Sequence, residues 1–316
     1  MNSALAKLMK SHKADEHGTD CFLIGGRSVS IFCTDVALLA LISHQLGHLR
    51  TTDEPLHKLH ISRPKQDIDV PMLFPGGYSS SLFEAFIDFH SGSIVVTSIQ
   101  EGTTLVLIKS PQFRYDRPHL IRTVLQAVAR KNVFALHGGV VAWGDSPGLL
   151  LSAKGGSGKS TAVVAAVSQG AKTIGDDFVL GEFSSDGQSL IGWSMFSSVR
   201  LEATSPARPL FDHSKYPEAD GKEVFNLEDR FTDSMRQRIR IGKLVVPCFS
   251  KINFTHPISR SEAMLAIAPS SVGLSLNPAD ALASIGRLVG FLPSFKVGLT
   301  PDISLNAAYL RDLSLS

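Results

Sequence analysis

The run LLLSAKGGSGKSTAVV, residues 149–164, changes character twice. Leu149, Leu150 and Leu151 form an unbroken apolar run, the pattern of a strand buried on both faces. Gly155, Gly156 and Gly158 then crowd into a turn, and a helical pattern opens at Lys159. A glycine-rich turn between strand and helix lets successive backbone N–H groups converge on phosphate oxygens. Lys154, Gly155, Gly156, Ser157, Gly158, Lys159, Ser160 and Thr161 are therefore the candidate nucleotide cradle. Lys159 would reach the outer phosphates and the Ser160 hydroxyl would hold Mg²⁺. The usual pattern is G-x-x-x-x-G-K-[ST], and its first position here is Ala153. The ligands implied are ATP and Mg²⁺.

Reading outward, ALHGGVVAW (135–143) and LLLSA (149–153) are strands around a turn at Gly144–Gly148. A helix runs from Lys159 to about Gln169, and a further strand from Lys172 to Leu180. Strand, loop, helix, strand is a βαβ unit, which makes this domain α/β with a parallel sheet. In such a sheet Asp176-Asp177, at the end of KTIGDD, would stand on the same edge as the phosphates. One carboxylate can bind Mg²⁺ and the other can take a proton from a hydroxyl nucleophile. On a strand the two acids point to opposite faces, so their roles differ. His137 ends VFALHGG, where it either approaches the γ-phosphate or acceptor or serves the structure. Glu202 follows MFSSVRLE and is either a further metal ligand or a surface acid. Arg200 is equally placed to touch phosphate.

The rest of the chain frames this unit. The first 15 or so residues read as a frayed helix or tail. CFLIGGRSVSIFC is two strands around Gly25-Gly26, and Asp35 opens a helix. HKLHIS and Ser93–Lys109 are further strands, the latter turning at Gln100-Glu101-Gly102. These elements imply a small N-terminal α+β domain over 1–114, available for peptide recognition or assembly. The catalytic domain spans 115–316, opening with a helix from Pro118. Leu201–Arg240 is polar and reads as a long mobile segment, of which His213–Met235 is a lid, a peptide-docking loop or disorder. Arg236, Arg238 and Arg240 alternate at period 2. They either close over phosphate or an acidic peptide, or form a charged strand edge. Two helices follow Ala279.

Composition narrows the classes. The 316 residues carry 31 Lys plus Arg against 29 Asp plus Glu, so no global basic field points to nucleic acid or membrane. Three cysteines, Cys21, Cys33 and Cys248, are too few for a disulfide framework and fit a reducing, cytoplasmic setting. No apolar run approaches the ~20 residues of a membrane span. The first residues lack the apolar core of a secretory signal.

His137-Gly138, AKGGSGKST and Asp176-Asp177 occur in the order found in the HPr serine kinase/phosphorylase family, and residues 130–205 resemble its catalytic domain. That family shares the P-loop fold of phosphoenolpyruvate carboxykinase. The resemblance implies that Asp177 is the base for an acceptor serine. It implies that Lys159 and His137 contact the transferred phosphoryl group. Ser160 and Glu202 would handle Mg²⁺, leaving Asp176 as a further metal ligand. It also hints at a homo-oligomeric ring.

Two departures separate the chain from the bifunctional enzymes. ATSPARPL follows Glu202 in place of Arg-Gly-Leu-Gly, and VVPCFSKIN stands where the family has Pro-Gly-Arg. The chain looks more like HPr-kinase-related enzymes that act on ribosomally made peptides, among them the lasso-peptide tailoring kinases. The expected partner is thus a peptide or small protein presenting a serine. The competing readings are an HPr-type regulatory kinase/phosphorylase, a P-loop ATPase without a peptide acceptor, and a small-molecule kinase on the same fold.

Overall fold

The computed structural model describes residues 1–11, 17–63, 77–88, 93–108, 133–212, 216–219, 221–275 and 278–316. The chain divides into two compact units, Met1–Arg130 and Lys131–Ser316. The expected boundary at 114/115 and the helix expected after Pro118 lie outside the described residues. The described residues form a mixed α/β protein with mixed sheets. None of the described helices is long and apolar enough to cross a membrane.

In the first unit, β1 (His17–Ile24) and β2 (Arg27–Cys33) form the hairpin expected around Gly25-Gly26. Both glycines take positive φ, 57° and 76°, as a two-residue hairpin turn demands. The helix expected after Asp35 is α2 (Val36–Gln45), where Asp35 Oδ1 accepts from the Ala37 and Leu38 amides at 3.1 Å each. It crosses from β2 to the parallel β3 (His57–Ser62). β4 (Tyr78–Ser79), β5 (Phe83–Asp88), β6 (Ser93–Ser98) and β7 (Thr103–Leu107) complete a sheet of order β1-β2-β3-β7-β6-β5-β4. The first helix, α1 (Asn2–Ser11), is not frayed. Leu5, Leu8 and Met9 recur at helical spacing and are buried with Ala85, Ile94, Val96, Leu105 and Leu107. Tyr78 donates to Asn2 Oδ1 at 2.8 Å.

His57 is 2% exposed, and its Nε2 meets Thr104 Oγ1 at 2.9 Å while Nδ1 has no hydrogen bond. Burial, helped by the charges of Arg27 and His60, lowers its pKa to about 4. The folded form therefore resists a proton that the unfolded chain accepts near pH 6.5. Stability is present above pH 6.5 and is lost as pH falls toward 4, by up to about 3 kcal/mol from this residue. Urea unfolding of the full chain at pH 7 and pH 4.5 should show the loss, and His57→Gln should remove about half of it, because burial also lowers the His48 pKa to about 4. An unchanged slope in that variant would remove His57 as a cause.

In the second unit, ALHGGVVAW is two strands rather than one, β8 (Val133–His137) and β9 (Gly139–Ala142), divided at Gly138. β10 (Gly148–Leu151) leads into the glycine turn and α3 (Lys159–Ser168). The expected parallel βαβ return is not found. After α3 the chain forms only β11 (Lys172–Thr173), which pairs antiparallel with β9. It then turns through Gly175-Asp176-Asp177 into β12 (Phe178–Phe183), antiparallel to β8 and to β13 (Leu190–Ser194). The glycine and two short acids break the strand where the pairing partner changes from β9 to β8.

Leu201–Arg240 is also more ordered than its polarity implies. β14 (Ser198–Glu202), β15 (Tyr216–Ala219) and β16 (Lys222–Asn226) form a three-stranded sheet of order β14-β16-β15. The short helix α4 (Leu227–Arg230) follows. Val199, Leu201, Phe211, Phe225, Leu227 and Met235 are buried in the core that α3 shares. A few well-placed apolar residues suffice to anchor a polar segment.

β17 (Arg238–Phe249) is the spine of the larger sheet. It pairs parallel with β10 and antiparallel with β13. Its later half pairs parallel with β19 (Ser294–Leu299), which β18 (Phe254–Pro257) joins. Helices α5 (Arg260–Ser271), α6 (Pro278–Phe291) and α7 (Ile303–Leu315) complete the unit. Leu149 and Leu151 pack with α3 and with Leu310 of α7, whereas Leu150 packs with Ala263 and Ile267 of α5 and Ile285 and Leu288 of α6. Both sheet faces are covered, which is why the strand reads as an unbroken apolar run.

Candidate functional site

The loop after Leu151 begins with the Ser152 amide donating to Val245 O of β17 at 3.0 Å. Ala153, at the position where the motif usually has glycine, is 3% exposed and does not need positive φ. The departure therefore costs no backbone strain. Gly156 (φ 73°) and Gly158 (φ 92°) do need it, because side chains disfavour that region. Lys154, Gly155 and Gly156 are exposed, while Ser157 and Lys159 are buried. Ser157 Oγ has no hydrogen-bond partner.

Lys159 is 6% exposed, and its Nζ donates to Ala153 O at 2.8 Å and Lys154 O at 3.1 Å. The ammonium thus braces the loop. Burial holds its pKa below the ordinary lysine value, partly offset by the charges of Asp176 and Asp177. Thr161 Oγ1 meets Ser205 Oγ at 2.9 Å, tying the start of α3 to the turn after β14.

The antiparallel pairing of β8 with β12 sets His137 opposite Phe178. Asp177 thereby comes beside His137, with Nε2 and Oδ1 3.1 Å apart. The Gly138 amide donates to Asp177 O at 3.1 Å and the Val140 amide to Gly175 O at 3.4 Å, so the acidic turn is docked along β9. His137 is fixed through its backbone. Its amide donates to Ser271 Oγ at 3.1 Å, and its carbonyl accepts from Ser152 Oγ at 2.7 Å. Among the described residues Asp177 is the non-glycine with positive φ, 68°. Strain of this kind gathers at functional sites, and Asp tolerates it better than most residues.

The two acids differ, though by turn geometry and not by strand alternation. Burial pushes the Asp177 carboxyl up, but the hydrogen bond and charge of His137, with Arg200 and Lys159, outweigh it and leave it below the usual range. Asp176 is 1% exposed, and neither carboxylate oxygen makes a hydrogen bond of good geometry. Burial, then the charge of Asp177, pushes its pKa up, against the pull of the Ser160 hydroxyl and Lys159. Gly139 makes room for this carboxylate, since a Cβ there would lie 3.2 Å from Asp176 Oδ1 and 2.5 Å from Val163 Cγ2.

A buried carboxylate without partners is costly unless a cation meets it. Asp176 with the Ser160 hydroxyl therefore fits one side of a Mg²⁺ shell, whose remaining ligands would be phosphate oxygens and water. Among the described residues no three His, Cys, Asp or Glu side chains gather as a ready-made metal site. Glu202 does not complete one. It is exposed and lies 4.0 Å from Lys222 Nζ, its cross-strand neighbour on β16. Lys222 is close enough to Lys159 to disfavour its charge, a neighbour that the polar sequence around it does not reveal.

Asp176→Asn should stabilise the free protein by about 1–3 kcal/mol, because it removes a buried unpaired charge. Any rise in melting temperature that the native chain shows on adding Mg²⁺ with nucleotide should be absent from this variant. Scanning calorimetry with and without both ligands checks this. A lower melting temperature for the free variant would show that the carboxylate is satisfied as it stands.

The basic run lies elsewhere. Arg238 and Arg240 are at the start of β17, with Arg238 over the Trp193 ring at 5.7 Å. The loop meets β17 at Val245, roughly 23 Å beyond Arg238 and roughly 16 Å beyond Arg240 at ~3.3 Å per residue. Arg236 donates to Asp233 O and Met235 O. Arg238 and Arg240 cannot close over a phosphate in the cradle.

No family model and no curated protein matches this sequence. A search of solved structures returns the Hpr(Ser) kinase/phosphatase from Coxiella burnetii, at a TM-score of 0.34 and 12% identity. The match covers 57% of this chain and 96% of that chain, a weak similarity at the level of fold.

Proposed function

We propose that this chain is an ATP- and Mg²⁺-dependent phosphotransferase acting on a hydroxyl, a serine kinase of peptides or small proteins. The observation that carries the reading is the buried, unpartnered Asp176 carboxylate next to Ser160 and Lys159, with a second carboxylate held by His137 alongside. A metal ligand, a phosphate-binding cation and a base are the parts phosphoryl transfer needs. The narrower reading, a ribosomal precursor peptide of the lasso type as acceptor, rests on the sequence resemblance.

The loop amides and Lys159 would bind phosphate oxygens, with Lys159 exchanging its two loop carbonyls for them. Ser160 and Asp176 would hold Mg²⁺, which when bound draws charge from the phosphates. Asp177 accepts the hydroxyl proton at a carboxylate oxygen, and His137 orients that carboxylate. The proton moves late in a loose transition state, so a carboxylate of low basicity is adequate. Arg200, whose charge already favours ionised Asp177, keeps it available.

The test is incubation of the full chain with γ-labelled ATP, Mg²⁺ and serine-containing peptides, followed by mass spectrometry of the phosphosite. Label on a seryl oxygen is the expected result. Free phosphate without a labelled acceptor would replace the kinase by an ATPase, and neither product would end the reading.

A further inference from the structure

The turn from Phe249 to Asn253, at the end of β17, is firmly held. The Ser250 amide donates to Leu299 O at 2.9 Å. Asn253 Nδ2 donates to Gly298 O at 3.1 Å and to Asn306 Oδ1 at 2.9 Å. Yet Phe249 and Ile252 are each 69% exposed. Neighbouring apolar side chains held in water by a rigid turn mark a contact surface. The Phe249 ring lies against the glycine loop. A Cβ built on Gly158 would stand 3.4 Å from Cε1 and 3.6 Å from Cζ of that ring.

Strand order assigns the occupant. β10, which carries the loop, has β9 on one side and β17 on the other. Asp176 and Asp177 dock along β9, and Phe249 ends β17. Transfer to an acceptor at Asp177 puts the outermost phosphate on the β9 flank. The nucleoside must then extend from the loop away from that flank. A preset aromatic face with one side open is what a nucleobase stacks on.

We propose that Phe249 is the stacking face for the base of the bound nucleoside triphosphate, a role that rests on the phosphate-cradle reading above. Phenylalanine offers no hydrogen bond, so the face is indifferent to base identity. ATP and GTP should depend on it alike.

Calorimetric titration of the full chain with Mg²⁺ and ATP, GTP or inorganic tripolyphosphate tests this in the native protein, Phe249→Ala and Phe249→Trp. The expected result is about 10-fold weaker ATP and GTP binding in Phe249→Ala. Tripolyphosphate affinity should not change, and Phe249→Trp should keep native nucleotide affinity. Unchanged ATP affinity in Phe249→Ala would overturn the proposal, including the case where peptide affinity falls instead. So would an equal loss for tripolyphosphate, which would make the ring a prop for the loop. A native chain that binds tripolyphosphate as tightly as ATP would overturn the stacking face and leave the cradle standing. A native chain that binds none of the three would overturn both.

Discussion

Asp177→Asn should lower the rate of phosphoryl transfer by about 10²–10⁴-fold while nucleotide affinity stays near the native value. The substitution is chosen for the backbone as well as the chemistry. Asp177 sits at φ 68°, and Asn is the other residue that tolerates this region, so the turn should survive. The amide can still meet His137, 3.1 Å away in the native protein, but cannot accept a proton. Binding should persist because Asp177 is not among the loop atoms that face phosphate. The native acid limb should lie below the ordinary carboxylate range, since His137, Arg200 and Lys159 hold the carboxyl down. Single-turnover transfer with calorimetric nucleotide binding separates the effects. Full transfer in the variant would remove Asp177 as the base and leave His137 as the alternative.

Lys159→Met should cost about 10²–10³-fold in kcat/KM, the usual loss when one charged donor to a developing anion is removed. Methionine keeps the stem volume of a side chain that is 6% exposed, so the loss would not come from a cavity. Two effects add. Ala153 O and Lys154 O lose their shared donor, which loosens the loop, and the phosphates lose their nearest buried cation. Both should appear as weaker ATP and tripolyphosphate binding, with thermal stability little changed. Native ATP affinity and turnover in this variant would count against the cradle itself.

The glycine turn and the helix that follows it were legible because their signals are local. Three glycines, two lysines and three hydroxyl residues within eight positions specify a turn, a helix start and a set of donors without help from the rest of the chain. The hairpin at Gly25-Gly26 and the Asp35 cap were legible for the same reason. The contact between His137 and Asp177 was not read from the sequence, which shows only their order along the chain. It arises from antiparallel pairing of β8 with β12, where periodicity had implied a parallel return. Pairing direction is a property of two strands together and leaves little trace in either one. The segment after Leu201 was misread because its apolar residues are sparse, yet Phe225, Leu227 and Met235 all reach the core. Arg238 and Arg240 were correctly seen as one face, but their distance from the loop depends on the register of β17 with β10.

The chain's own order of residues thus settled which groups are available for chemistry and which short stretches bend, cap or coil, because φ and ψ preferences act within a few positions. Folding decided how those groups behave. Asp176 becomes an unpaired buried acid, Asp177 an ionised one and Phe249 an open aromatic face only through neighbours distant in the chain. Desolvation and exposure come from the assembled surroundings, and no single stretch carries them.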